Sequence, residues 1–140
     1  MKINIRKRII VKSTLMVFAF FYATLTFAQH STPWNVPEAA KLKKNPYPSE
    51  EFSLDRGKKS YKLDCIRCHG AGGKGDGTSS GKLEKTVADL SSDLVQNQSD
   101  GELYWKISEG RKPMPIAKRT LTDDQRWDII NYIRTFKKTQ

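Results

Sequence analysis

Residues 61–70 read Tyr61-Lys62-Leu63-Asp64-Cys65-Ile66-Arg67-Cys68-His69-Gly70, and the reading of the whole chain turns on the run from Cys65 to His69. Cys65 and Cys68 are the only two cysteines, and His69 follows the second directly. Two thiols at this spacing can each add to one of the two vinyl groups of a haem, and the adjacent histidine is then held beneath the iron as an axial ligand. Competing uses of the pattern fare worse. A structural zinc site needs four ligands, usually two such pairs, and only His30 remains to be added. A thiol–disulfide oxidoreductase carries its Cys-x-x-Cys at the start of a helix that follows a strand, whereas here the motif ends a helical stretch. A disulfide between Cys65 and Cys68 would cross-link almost nothing, so an exported disulfide scaffold is a poor reading.

Working outward, Glu51–Cys65 suits a helix, with Phe52, Leu54, Tyr61 and Leu63 as its apolar members. Gly57 inside it costs about 1 kcal/mol relative to alanine, which points to close approach of another backbone. Downstream, residues 70–81 form a loop with glycine at 70, 72, 73, 75, 77 and 81; a flexible surface loop is the plain alternative. A phosphate cradle is excluded, because Lys74 precedes Gly75 where Ser or Thr is required. Asp76-Gly77-Thr78 lacks the alternating acids of a calcium loop.

Ser99-Asp100-Gly101-Glu102 reads as a capping box, followed by Leu103 and Ile107 on one helical face and Gly110 as the stop. Pro113 and Pro115 keep the next segment from being helical. Thr122-Asp123-Asp124-Gln125 is a second capping box, and Ile129, Tyr132, Ile133 and Phe136 recur with the period of an amphipathic helix. No alternating run reads as a strand. The expected fold is small and all-α, with several short helices wrapped around one covalently attached haem. A domain with so little core of its own gains from a large apolar cofactor at its centre.

The census of further iron ligands is short. Beyond the first 28 residues the histidines are His30 and His69, and Met114 is the single methionine. Met114 lies between Pro113 and Pro115, whose fixed φ angles make a stiff loop suited to presenting a thioether. It is the candidate second axial ligand; the alternative for a lone methionine is a core gap-filler. His30 is read as an exposed residue near the start of the mature chain.

Residues 1–28 read as a signal peptide. Lys2, Arg6, Lys7, Arg8 and Lys12 form a basic start, an uncharged apolar stretch runs from Ser13 to Phe27, and Thr26-Phe27-Ala28 precedes Gln29 as a cleavage site. The apolar stretch falls short of the roughly 20 residues of a spanning helix. A retained membrane anchor is the alternative, and either places the folded domain outside the cytoplasm, in the periplasm or otherwise exported. Residues 29–50 hold Pro33, Pro37, Pro46 and Pro48 with Trp34 and Tyr47. They read as a proline-rich extension that packs its aromatics on the domain, with a short helix at Glu38–Lys44; a loose linker is the alternative. Residues 51–140 form the haem-bearing domain. The chain carries 25 Lys and Arg against 15 Asp and Glu, and setting aside the five at the start leaves 20 against 15. These charges are interspersed along the chain, which excludes the clustered basic stripe of a nucleic-acid binder.

From about Ser53 to Phe136 the chain resembles class I cytochrome c of the bacterial monohaem type. The resemblance rests on Gly57 and Tyr61, on Cys65-Ile66-Arg67-Cys68-His69-Gly70, on Gly73-Lys74-Gly75-Asp76-Gly77 and on Ala88-Asp89-Leu90. It continues through Gly110-Arg111-Lys112-Pro113-Met114-Pro115 and Tyr132-Ile133-Arg134. It implies that the first and last helices cross, with Gly57, Tyr61 and Tyr132 at the contact, and that the methionine loop closes the opposite haem face at Met114. Leu90, Leu103, Trp105 and Trp127 become candidates for haem pocket or core. One departure stands out: the proline whose carbonyl orients the haem histidine in many relatives is absent, with Gly81 at its place, so the partner of His69 is not legible.

The expected site is therefore Cys65, Cys68, His69 and Met114, holding one haem c, with His69 and Met114 on the iron. With both axial positions filled, the expected function is one-electron transfer, as a free carrier or as a subunit of a respiratory or dehydrogenase complex, and not enzymatic catalysis. The expected partners are redox proteins, including a membrane respiratory complex, with direct membrane contact only if residues 1–28 are retained. Lys58, Lys59, Lys62, Arg67, Lys74, Lys82 and Lys85 surround the motif in sequence and either steer an acidic partner or form an ordinary solvated surface. A haem enzyme or gas sensor would require Met114 to leave the iron open.

Overall fold

The computed structural model describes residues 33–47 and 49–137; the expected signal segment and His30 lie outside the described residues. The helices are α1 (Glu38–Lys41), α2 (Glu51–Asp64), α3 (Ile66–His69), α4 (Asp93–Gln96), α5 (Asp100–Glu109) and α6 (Asp123–Arg134), with single 3-10 turns at Ser80–Lys82 and Ala117–Arg119. Among the described residues no strand forms, and the extended pairing is one isolated bridge between Arg111 and Met114. None of the described helices is long and apolar enough to cross a membrane. The all-α expectation holds.

The frame is the crossing of α2 over α6. At Gly57 a Cβ atom would run into the carbonyl oxygen of Asp128 and lie 3.0 Å from Cβ of Tyr132, so the two helices meet backbone on backbone. Such closeness dictates which face of α2 is buried. That face is Ser53, Gly57, Ser60 and Tyr61, mostly small residues. The apolar residues expected to anchor the helix do not all do so: Phe52 and Leu63 are 73% and 78% exposed. Large side chains would hold the helices apart, so the apolar burial comes from α6 and from aromatic packing beside the crossing. Tyr61 is 1% exposed, with its ring 5.3 Å from those of both Tyr132 and Phe136 in edge-on contacts.

Polar groups buried at the crossing are paired, as burial requires. Asp128 accepts hydrogen bonds from Ser53 Oγ at 2.7 Å and Arg56 Nε at 2.6 Å. Asn131 donates to Ser53 Oγ at 2.8 Å and accepts from Asn45 Nδ2 at 2.8 Å. Helix α6 is thus enclosed well beyond its expected apolar stripe: every residue from Arg126 to Asn131 is buried. The core cluster joins Tyr61, Leu103, Tyr104, Ile107, Trp127, Ile129, Ile130 and Ile133, and Tyr104 stacks on Trp127 at 4.0 Å.

The two expected caps differ. Thr122 and Gln125 form the full reciprocal box at the start of α6. At α5 one half forms, from the Glu102 amide to Ser99 Oγ at 3.1 Å, while the Glu102 carboxylate accepts from Lys106 instead. The Ser99 hydroxyl also donates to the Lys41 carbonyl at 2.7 Å, tying α1 to α5. Helix α1 ends at Lys41, short of the expected Lys44, and Lys43 instead lays its ammonium over the Tyr104 ring at 4.1 Å.

Candidate haem site

Cys65 is at once the end of α2 and the start of α3, so the motif sits in a corner between two helices. Its backbone N–H donates to the Tyr61 carbonyl at 2.9 Å and its carbonyl accepts from the His69 N–H at 3.0 Å. One turn of α3 therefore carries Cys68 and His69 close behind Cys65. Both thiols are free and half-buried. Burial first, then the charges of Asp64 and Cys68, push the Cys65 thiol up to about 12, so it is protonated at neutral pH.

The glycine-rich segment that follows is packed against the motif. Its amides return to the corner: Gly75 N–H donates to His69 O at 2.9 Å, Gly77 N–H to Cys68 O at 3.1 Å and Ser79 N–H to Arg67 O at 2.8 Å. A Cβ at Gly77 would collide with the Arg67 carbonyl, and one at Gly73, where φ is +73°, would lie 2.6 Å from the Phe136 ring. A Cβ added at Gly72 or Gly81, alone among the glycines, would meet nothing within 4 Å, so the flexible-surface alternative survives only there. Tyr61 has a task beyond the helix crossing: its hydroxyl donates to the Gly70 carbonyl at 2.7 Å and fixes the exit from α3.

The chain also supplies the partner of His69 that sequence reading left unnamed. His69 Nδ1 lies 3.2 Å from the Ala88 carbonyl oxygen. A carbonyl can only accept, so the proton sits on Nδ1 and Nε2 keeps its lone pair, which is the form in which a histidine binds metal. Burial pushes the imidazole below its ordinary range, against the opposing pull of the Ala88 hydrogen bond, and so favours the neutral ring. Ala88 is held in place through its neighbours: Leu90 N–H donates to Gly73 O at 2.6 Å, and a Cβ at Gly75 would come within 2.5 Å of Val87 O.

Met114 lies in a tight loop. Arg111 N–H donates to Met114 O at 3.1 Å and Met114 N–H to Arg111 O at 2.9 Å, so the backbone of the pair is closed on itself. Gly110 enters the loop with φ +59°, where a Cβ would strike the Pro115 carbonyl. The Met114 side chain is half-buried and packs on the same core cluster as Cys65, Ile66 and Leu90. Of the other candidates, Leu103 and Trp127 are core residues, while Trp105 is half-buried and stands edge-on to Trp34 at 6.1 Å. The fit to a haem c is good on these observations: two free thiols on one turn, a neutral imidazole with an available Nε2, and a thioether on a braced loop.

The sequence profile of the Cytochrome c family matches residues 54–137. The cytochrome bc1 complex cytochrome c subunit of Corynebacterium diphtheriae is 32% identical over 85 residues, covering 60% of this chain and 27% of that protein. The subunit of the same name from Corynebacterium efficiens is 29% identical over 91 residues, covering 64% of this chain and 28% of that one. The chain thus spans little more than a quarter of the length of these relatives. Among solved structures, a chain of the reducing HAO-like protein complex of Kuenenia stuttgartiensis superposes with a TM-score of 0.60 at 30% identity, over 66% of this chain and 47% of that one. A profile that spans more than half of the residues, on a fold whose helix crossing and Cys-x-x-Cys-His corner match the resemblance, places the chain in the cytochrome c family.

Proposed function

We propose that this protein is an exported one-electron carrier with a single haem c, working as a subunit of, or a shuttle to, a membrane respiratory complex. In this reading Cys65 and Cys68 would hold the haem through two thioethers, and His69 and Met114 would supply its iron ligands. Residues 1–28 direct export, 29–50 form an extension and 51–140 the cytochrome domain. The observation that carries the reading is the Ala88 carbonyl at His69 Nδ1, which leaves Nε2 ready for iron.

The haem supplies a reversible one-electron couple. The chain's own residues set its terms. His69, fixed in tautomer by Ala88 and in position by the returning amides of Gly75 and Gly77, changes little between oxidation states. Met114 would supply the second iron ligand and leave no position for oxygen or substrate; a thioether donor would favour ferrous iron and raise the reduction potential. Tyr61 and the α2–α6 crossing hold the corner rigid. Little reorganisation and no open position suit electron transfer rather than catalysis.

Relatives named as subunits of a cytochrome bc1 complex support a respiratory setting. Lys58, Lys59, Lys62, Arg67, Lys74, Lys82 and Lys85 are all exposed. They provide a positive field that steers an acidic partner and weakens as salt screens it. Electron transfer to such a partner slows as ionic strength rises; a flat response removes the steering.

The test is a visible spectrum of the haem-loaded protein, oxidised, reduced, and reduced under carbon monoxide. The expected result is low-spin bands, a weak far-red sulfur–iron(III) band that disappears in Met114→Ala, and no response to carbon monoxide. A high-spin spectrum or rapid carbon monoxide binding contradicts the reading and points to a haem enzyme or sensor.

A further inference from the structure

The contacts of the methionine loop reach outside the cytochrome domain. Arg111, whose backbone closes the loop on Met114, sends its side chain to the extension. Its guanidinium lies over the Trp34 ring at 4.3 Å, and its Nη1 donates to the Pro33 carbonyl at 3.2 Å. Trp34 is itself held: it stands edge-on to Trp105 of α5 at 6.1 Å, and Lys106 of the same helix approaches its ring at 6.0 Å. Two residues on, Val36 is buried at 6% exposure. The rest of the extension is fastened as well, by the Ser99 hydroxyl on the Lys41 carbonyl and by Asn45 on the buried Asn131. At Gly101 of α5 the fit to α1 is so close that a Cβ would strike the carbonyls of Ala40 and Lys43.

We propose that residues 33–36 are a strap that positions Met114 by clamping Arg111, so that Trp34 and Arg111 govern how readily another ligand displaces the methionine from the iron. The inference rests on Met114 as axial ligand and goes beyond it. The Arg111–Met114 pair closes the neck of the loop, and the guanidinium stacked on Trp34 ties the Arg111 side of that neck to α5. Loosening this tie raises the population of loops in which the thioether has moved away. Trp34 and Arg111 act through Met114 and not on the iron, so both are positioning residues.

The probe is imidazole added to the ferric, haem-loaded protein, followed through the far-red sulfur–iron band. Trp34→Ala and Arg111→Ala are each expected to keep that band without imidazole and to bind imidazole about fivefold more tightly, the size one half-buried cation–π contact supplies. The double variant is expected to go no further than either single one, because both break the same clamp. Trp34→Phe keeps an aromatic face under the guanidinium and is expected to behave as wild type. Tyr47→Phe removes the 2.6 Å hydrogen bond to Asp124 elsewhere on the extension, and is expected to leave imidazole affinity unchanged. If Trp34→Ala does not accumulate, Arg111→Ala and Trp34→Phe decide the matter. Unchanged imidazole affinity in Arg111→Ala and Trp34→Ala, with lowered thermal stability, overturns the strap and leaves Met114 ligation standing. A far-red band that survives Met114→Ala overturns both.

Discussion

The two sides of the proposed haem site are built differently. On the histidine side, His69 ends the short helix α3, its backbone is bonded to the returning segment at Gly75, and its ring is bonded to Ala88. Most of these partners are main chain, from segments close in sequence and packed so tightly that glycine is required. On the methionine side, Met114 is held by one reciprocal pair of backbone bonds to Arg111 and by packing of its side chain on the core, and the Arg111 guanidinium beyond it stacks on Trp34. Backbone bracing is rigid and insensitive to side-chain change; side-chain bracing is adjustable. On the proposed ligation, the histidine side would fix the cofactor, and the methionine side would be where ligand exchange is tuned.

The largest break in this contrast comes from Gly77→Ala. The new methyl group meets the Arg67 carbonyl, so the corner must shift, at a cost of about 3 kcal/mol and with lower haem content. Urea denaturation and the haem-to-protein ratio read it. Gly72→Ala on the same loop meets nothing within 4 Å and is expected to fall within about 0.5 kcal/mol of wild type. Equal effects at the two positions would mean that the loop is not packed on the motif.

Next in size is Gly110→Ala. Its φ of +59° and the Pro115 carbonyl leave no room for a side chain, and the cost is about 1–2 kcal/mol. Here the outcome is selective: haem stays attached, while the far-red band weakens as the methionine loop distorts. Loss of haem instead would show that the two sides are not separable. The smallest effect comes from Thr122→Ala, which removes the α6 cap for about 1 kcal/mol and is expected to leave the spectrum unchanged on both sides. A thermal melt beside the oxidised spectrum distinguishes these cases.

What the sequence reveals follows the same division. The Cys65–His69 run and the proline-flanked Met114 stand out in the sequence because the chemistry proposed for them depends on residue type at short spacing. Helix α6 is visible through its period, and Gly57 through its cost inside a helix. The Ala88 carbonyl is invisible, since every residue carries a carbonyl and the expected proline is missing. The buried face of α2 is also invisible: Ser53 and Ser60 have no hydropathy signal, and a close crossing selects size over apolarity, which is why Phe52 and Leu63 mislead. The Trp34–Arg111 clamp joins segments far apart in the chain, and nothing local in either announces the other.

Proton NMR of the reduced, haem-loaded protein carrying carbon-13 methyl-labelled methionine tests the central claim most directly. The methyl group of a methionine whose sulfur binds the iron would lie over the haem face, where the ring current would drive its resonance far upfield. The account predicts one such methyl, unchanged by carbon monoxide and absent from Met114→Ala. Methionine methyls all at ordinary positions, with carbon monoxide binding on mixing, would contradict His69/Met114 ligation and with it the electron-carrier function built on it.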